Sequence, residues 1–179
     1  MTVTYLDVRN NIVEQIKTAF NKYKRMTVAV HPGKFDEAEI RRLMQSTPAI
    51  LTSLVGISDG SVEDESSIDF VNWVLYRADN KDRLYDGALS LVSALIGVIK
   101  KIDNPVSFGG GTRINAECLY SGSLDKINAT LWAVRWKLDA RGVNTDGNIL
   151  LPEDLDWFKG YDSGLLIGEQ TANDIVNLD

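Results

Sequence analysis

The chain has 179 residues, of which 44% are hydrophobic and 25% charged, and its formal net charge is -6. These values are typical of one soluble globular domain and exclude an intrinsically disordered chain. One cysteine and one histidine exclude an internal disulfide and a Cys/His zinc site, because such a site needs three or four ligands.

The first part of the chain predicts a helix followed by a short strand. Residues 1–11 contain no basic stretch followed by an apolar core, so we expect no signal peptide and synthesis in the cytoplasm. Apolar residues then recur at spacings of three and four, which predicts an amphipathic helix over about 6–24. The β-branched run at 26–30 predicts a strand that ends in a His-Pro-Gly turn beginning at His31.

A capping-box pattern follows this turn. Asp36 with Glu39 three residues later predicts a short helix at 37–45, since each side chain can satisfy a free amide of the first turn. His31 with Asp36 also raises the alternative of a small hydrolase. The capping role explains Asp36 better, because the chain has no Gly-x-Ser-x-Gly nucleophile motif. We therefore expect no catalytic residue.

A long hairpin is predicted next, from strands at 49–57 and 68–77 that are joined by a polar turn at 58–67. Carboxylates in the turn offer oxygen ligands to a hard cation, but their spacing matches no known calcium loop. The preferred interpretation is a solvated acidic turn, and a surface that steers a basic partner is the functional alternative. The candidate interface residues here are Asp59, Glu63, Asp64 and Glu65.

Apolar residues stepping by four and three predict the longest helix at about 80–102. Its apolar stretch at 88–99 is too short to span a bilayer and is interrupted by polar residues, so we expect no membrane partner.

The sequence FGGGTR at 108–113 invites a phosphate-loop interpretation. It lacks the Gly-Lys-Ser/Thr ending of such loops, and a strand rather than a helix is predicted to follow it. We therefore predict a flexible connector at 104–112 that orders on assembly, with Phe108 and Arg113 as candidate interface residues.

Two further strands are predicted at 113–122 and 128–139. In the second strand, tryptophan and aliphatic residues alternate with charged ones. One face of the strand is therefore apolar, and the other is exposed to solvent or contacts a partner. Arg135 and Lys137 on the charged face are candidate interface residues.

The order of these elements favours an α+β fold over a doubly wound parallel one. We expect a mainly antiparallel or mixed sheet of four to five strands, packed by two long helices and one short helix, within residues 1–138. Trp73 and Trp132 lie in the middle of predicted strands, and we expect both to be in the core.

Residues 139–179 form an acidic, aromatic C-terminal arm. They carry 2 basic and 9 acidic groups, whereas residues 1–138 carry 17 and 16. Neither part has the basic patch of a nucleic-acid binder, so no nucleic acid is expected as a partner. The arm has no clear periodicity, and its apolar surface must pack either on its own sheet or on a neighbouring subunit. Its candidate interface residues are Trp157, Phe158 and Tyr161.

The sequence resembles a family of Mu-like prophage tail proteins, which are encoded near the tail sheath and tube genes. The resemblance covers residues 5–138 and rests on TVAVHPGKFDEAEIRRL, TPAILTSLVG and LYSGSLDKINATLWAVRWKL, in that order. It implies a structural protein of the virion, of the tail terminator or completion type. Such a protein forms a homo-oligomeric ring, usually a hexamer, that contacts tube and sheath proteins at the end of a contractile tail and joins the tail to the head connector.

The resemblance further implies assembly in the host bacterial cytoplasm, a final location in the virion tail, and no cofactor or metal. The loops at 58–67 and 104–112 are then candidate interface elements that order on docking. The alternative is an adaptor or binding module whose C-terminal arm engages another virion or host protein.

Overall fold

The structure is a computed structural model with two units, residues 1–144, here called the body, and residues 145–179, here called the C-terminal unit. It describes residues 3–23, 25–33, 42–43, 47–60, 62, 64–124, 127–143, 161–167 and 170–176.

The described part of the body has an α+β fold with two helices and a mixed sheet of five strands. The elements are α1 (Tyr5–Ala19), β1 (Thr27–Val30), β2 (Ala49–Asp59), β3 (Glu65–Arg77), α2 (Lys81–Ile99), β4 (Thr112–Leu124) and β5 (Ile127–Arg141). The predicted α+β class and its two long helices are confirmed. The predicted short helix at 37–45 lies outside the described residues, except for positions 42 and 43, which are helical.

The strand order is β1-β2-β3-β5-β4. Three of the four pairings are antiparallel, but β1 pairs with β2 in parallel, with Thr27 opposite Ala49. The prediction of a mainly antiparallel sheet is therefore only partly met. A parallel neighbour needs a connection of a dozen or more residues, and residues 31–48 supply that length.

Helix α1 begins at a capping box that the sequence analysis did not identify. The amide of Asp7 donates to Oγ1 of Thr4 over 3.2 Å, and the amide of Thr4 donates to the Asp7 carboxylate over 2.9 Å. The helix ends at Ala19, five residues before its predicted end, and a turn follows. Tyr23, which extends the apolar pattern of the helix, lies in that turn and is 57% exposed.

Both helices pack on one face of the sheet and build the main core there. Phe70 of β3 stacks on Trp136 of β5, with ring centroids 4.8 Å apart and planes at 20°. The fully buried aliphatic side chains around this pair come from both helices and include Ile12, Ile16, Leu95 and Ile99. Within the described part of the chain, no helix is long and apolar enough to cross a membrane.

A buried polar chain ties three strands together at this core. The indole nitrogen of Trp136 donates to Oδ1 of Asn72 over 2.6 Å, and Nδ2 of Asn72 donates to Oγ1 of Thr52 over 2.7 Å. All three residues are almost fully buried. Shifting one strand by one residue against its neighbour would leave these buried groups unpaired. These hydrogen bonds therefore specify the register of β2, β3 and β5.

The opposite face of the sheet is here called the open face. A small second cluster, which includes Leu51, Leu75 and Leu131, covers one end of it together with Leu43. Trp73 packs against this cluster and is only partly buried, while its indole nitrogen donates to Oγ of Ser53 over 3.0 Å.

The two tryptophans that the sequence predicts to be core therefore lie on different faces. Trp132 packs against the main core on the helix side, but it too is only partly buried. Both rings pack against a hydrophobic cluster but neither is fully buried, so the prediction is met in part; Trp73 lies on the face opposite the two helices.

The C-terminal unit contains an antiparallel strand pair, β6 (Tyr161–Ile167) and β7 (Gln170–Val176), with Tyr161 opposite Val176. No strand was predicted here, because the C-terminal arm has no clear periodicity in its sequence. The apolar residues of β6 are consecutive rather than alternating, so the period-two signal of a half-buried strand is missing.

Candidate interaction surface

The open face carries a groove of about 490 Å³ at its uncovered end, here called the basic groove. Its apolar part is formed by Val55, Val71 and Trp73, of which Val71 is buried and Val55 is 51% exposed. Its charged part consists of Asp69 from β3, Arg113 from β4, and Arg135 with Lys137 from β5.

Strand alternation explains why these side chains meet. Successive residues of a strand point to opposite faces, so Arg135 and Lys137 share the open face while Trp136 lies in the core between them. The register places Lys137 opposite Asp69. Arg113 comes from a β-bulge near the start of β4 and has a φ of 49°, a conformation that re-aims a side chain at a strand end.

The basic groove has an excess of positive charge. Nζ of Lys137 lies 3.0 Å from Oδ1 of Asp69, and both side chains are about one third exposed, at 29% and 35%. Such a half-solvated pair contributes about 0–1 kcal/mol to stability. Among the residues that line the groove, Asp69 is the one carboxylate beside three cations, and Arg113 and Arg135 are exposed to solvent.

A second groove of about 560 Å³ adjoins the first and shares Arg113 and Lys137 with it. It is here called the end groove, because it lies where the β2–β3 hairpin meets the end of β5. Acidic and hydroxyl groups dominate its lining, and Oγ of Ser67 donates to Asp139 over 2.9 Å. Phe108 projects beside them and is 61% exposed.

The two grooves bring together six of the residues that the sequence analysis selected as interface candidates. Five of them line the end groove. The sixth, Arg135, lines the basic groove together with Arg113 and Lys137, which belong to both grooves. The six residues are Asp59, Glu65, Phe108, Arg113, Arg135 and Lys137.

The other candidates are not placed in these grooves. Asp64 sits at the hairpin tip with a φ of 65°, and its carbonyl accepts a hydrogen bond of 3.0 Å from the amide of Gly142. Glu63, Trp157 and Phe158 lie outside the described residues, and Tyr161 is described only as the first residue of β6. In the described ranges, no three His, Cys, Asp or Glu side chains are grouped so that they could hold a metal ion.

His31 has a structural place one residue beyond β1. Its amide donates to the carbonyl of Thr52 over 2.9 Å, which extends the parallel ladder. Its Nδ1 accepts from the amide of Gly33 over 3.0 Å, and Gly33 has a φ of 90°, which a side chain would strain. The imidazole is 6% exposed, and the hydrogen bond that it accepts from Gly33 stabilises the turn. Asp36, its proposed catalytic partner, lies outside the described residues.

The glycine run packs against the carboxyl end of α2. The amide of Gly111 donates to the carbonyl of Ile99 over 2.8 Å, and a β-carbon at Gly111 would collide with Ile99 and Trp136. This end of a helix carries partial negative charge and disfavours a phosphate.

The prediction of a loose connector at 104–112 is also at odds with the structure. The amide of Phe108 donates to the carbonyl of Asp139 over 3.1 Å, and that of Arg141 donates to Val106 over 2.7 Å. The connector is therefore fastened by its backbone to both α2 and β5.

Several groove residues were not predicted from the sequence as part of a site. Among them, Val55 was assigned only to a strand, Trp73 was assigned to the core, and Asp69 was not singled out. The position of Asp69 between the apolar residues Ile68 and Phe70 was a usable signal, but its partner Lys137 is 68 positions away and becomes its neighbour only in the folded sheet.

Comparison of the chain with protein-family models finds no match, and comparison with curated proteins finds none either.

Proposed function

We propose that this protein is a structural assembly protein of a contractile phage tail, of the terminator or completion type. In this role a homo-oligomeric ring, a hexamer by analogy with the family it resembles, caps the tail and joins it to the head connector. The observation that supports the proposal is the open face, where aromatic, aliphatic and charged side chains line two adjoining grooves.

The composition of the open face is suited to a protein contact. Specific interfaces combine an apolar centre containing aromatic and Arg residues with a polar rim. Here the half-buried Trp73 and the exposed Val55 lie beside Arg135, and the end groove adds carboxylates and hydroxyl groups. A partner that covers Trp73 would remove apolar surface from water without any chemical step.

A ring also needs a second, different patch on each subunit, because its contacts are heterologous. The helix layer supplies one. Tyr85 and Leu89 lie one turn apart on α2 and are 52% and 54% exposed. This pair lies on the helix side of the body and the grooves lie on the open face, so each subunit has two different patches, as a heterologous contact requires.

The oligomeric state and the binding of tail ends test the proposal. We expect native mass spectrometry to show closed oligomers and electron microscopy to show the protein at one end of purified tails. Tyr85→Ser with Leu89→Ser should shift the oligomers towards monomer. Tyr23→Ser is the matched control, because Tyr23 is exposed to a similar extent but lies in the turn after α1. A wild-type protein that stays monomeric and ignores tail ends would overturn the proposal.

The adaptor alternative is favoured by one observation, the separation of residues 145–179 as a unit of their own. Ending the chain at Asn144 distinguishes the two functions. If the body alone still forms rings but no longer binds another virion or host protein, the C-terminal unit is an adaptor. If ring formation itself is lost while the body stays folded, the C-terminal unit takes part in the ring contact and the adaptor function is contradicted.

A further inference from the structure

The basic groove is a positively charged site whose apolar part is partly open to solvent. Three cations stand beside one carboxylate in it, and Trp73 and Val55 lie within reach of whatever enters. A chain segment that carries both carboxylates and large apolar side chains would satisfy both parts of the groove at once.

The sequence contains such a segment. Residues 145–179 carry eight acidic groups and one basic group, so their net charge is -7, whereas residues 1–144 carry a net charge of +1. Within the segment, the run 153–158 reads Glu-Asp-Leu-Asp-Trp-Phe, which places three carboxylates next to two aromatic residues. A two-stranded hairpin such as β6 and β7 is marginally stable by itself, so the segment gains stability from a surface on which to pack.

We propose that the basic groove of one copy of this chain binds the acidic segment 145–179 of another copy. The carboxylates of the run 153–158 are complementary in charge to Arg113 and Arg135, and its aromatic residues are complementary in chemistry to Trp73. This inference rests on the proposed ring function, since one acidic segment entering the next groove is a heterologous contact that can close a ring.

Charge reversal in the full-length chain tests the contact. Arg113→Glu with Arg135→Glu should weaken association roughly tenfold or more and remove much of its dependence on salt, because attraction across the interface becomes repulsion. Arg83→Glu is the matched control, since Arg83 is an exposed arginine on α2, away from the groove. Circular dichroism should show that all of these variants remain folded.

The reciprocal change should have the same effect. Asp154→Lys with Asp156→Lys should also weaken association, and combining the four substitutions in one chain should restore it, because opposite charges then face each other again. Mixing the groove variant with the segment variant should also restore association, because the acidic segment of the first matches the native groove of the second and the lysine-bearing segment of the second matches the acidic groove of the first.

The outcomes separate this inference from the proposed function. Wild-type rings that persist in the groove variant would overturn the groove contact and leave the ring function standing. Loss of rings in the groove variant but not in the segment variant would show that the groove receives a different part of the chain, and would also overturn the inference. A wild-type chain that never associates would overturn both proposals.

Discussion

At the scale of single residues, close approach decides where this chain requires glycine. Gly111 and Gly97 differ in the space available for a side chain. A β-carbon at Gly111 would overlap Ile99 and Trp136, whereas one at Gly97 would meet no atom within 4 Å. The first glycine lets the connector before β4 lie against the end of α2, and the second lies on an exposed part of the helix.

Alanine at these two positions should therefore have opposite effects. We expect Gly111→Ala to lower the free energy of unfolding by about 1–3 kcal/mol, because the added carbon overpacks the core. Gly97→Ala should raise it by about 0.5–1 kcal/mol, because alanine loses less backbone entropy than glycine in a helix. Urea denaturation followed by tryptophan fluorescence measures both changes. Equal effects of the two substitutions would contradict the packing argument.

At the scale of elements, the capping box decides where α1 begins. Oγ1 of Thr4 accepts from the amide of Asp7, and the Asp7 carboxylate accepts from the hydroxyl and the amide of Thr4. These hydrogen bonds, first the one from the hydroxyl and then the one from the amide, lower the pKa of Asp7 from its ordinary value. The negative charge also lies at the positive end of the helix.

Thr4→Ala should destabilise the protein by about 1 kcal/mol, as is typical for loss of an N-cap, and should bring the pKa of Asp7 back up towards its ordinary value. Because the folded pKa lies below the unfolded one, the contribution of Asp7 is present above its unfolded pKa and is lost as the pH falls through the folded value. NMR titration of the carboxyl carbon measures the pKa in both proteins. Thr18→Ala, an exposed change later in α1, should leave that pKa where it is.

Several elements were predictable because their signals are local. The structure places α2 at Lys81–Ile99 and β5 at Ile127–Arg141, within three residues of the predicted bounds at either end. Apolar spacing of three and four marks the helix, and strict alternation marks the strand, so no distant residue is needed to recognise them. The end of α1 was missed because Tyr23 continues the helical spacing from a turn.

At the scale of the whole molecule, the body ends beyond its last strand. Val143 is 8% exposed and belongs to the main core, Ala140 is fully buried, and the amide of Arg141 donates to Val106. The compact unit accordingly extends to Asn144. The boundary predicted from the sequence, at residue 138, falls before these contacts.

Two truncations test where the body ends. A chain ending at Asn144 should keep the cooperative unfolding of the body, whereas one ending at Leu138 should be less stable by roughly 2–4 kcal/mol, since it loses the buried side chains of Ala140 and Val143 and their neighbouring hydrogen bonds. Thermal unfolding followed by circular dichroism compares the two. Equal melting temperatures would show that residues 139–144 contribute nothing to the body.

Local features of this protein can be predicted from its sequence: the α+β class, the helices and strands that have a clear period, and the alternation that separates Trp136 from Arg135 and Lys137. Three other features are visible only in the folded molecule: β1 runs parallel to β2, Lys137 meets Asp69, and six separate candidates line two adjoining grooves. The difference is one of distance along the chain, because periodicity is set by neighbours along one element, whereas strand order and register depend on contacts between residues far apart in the chain.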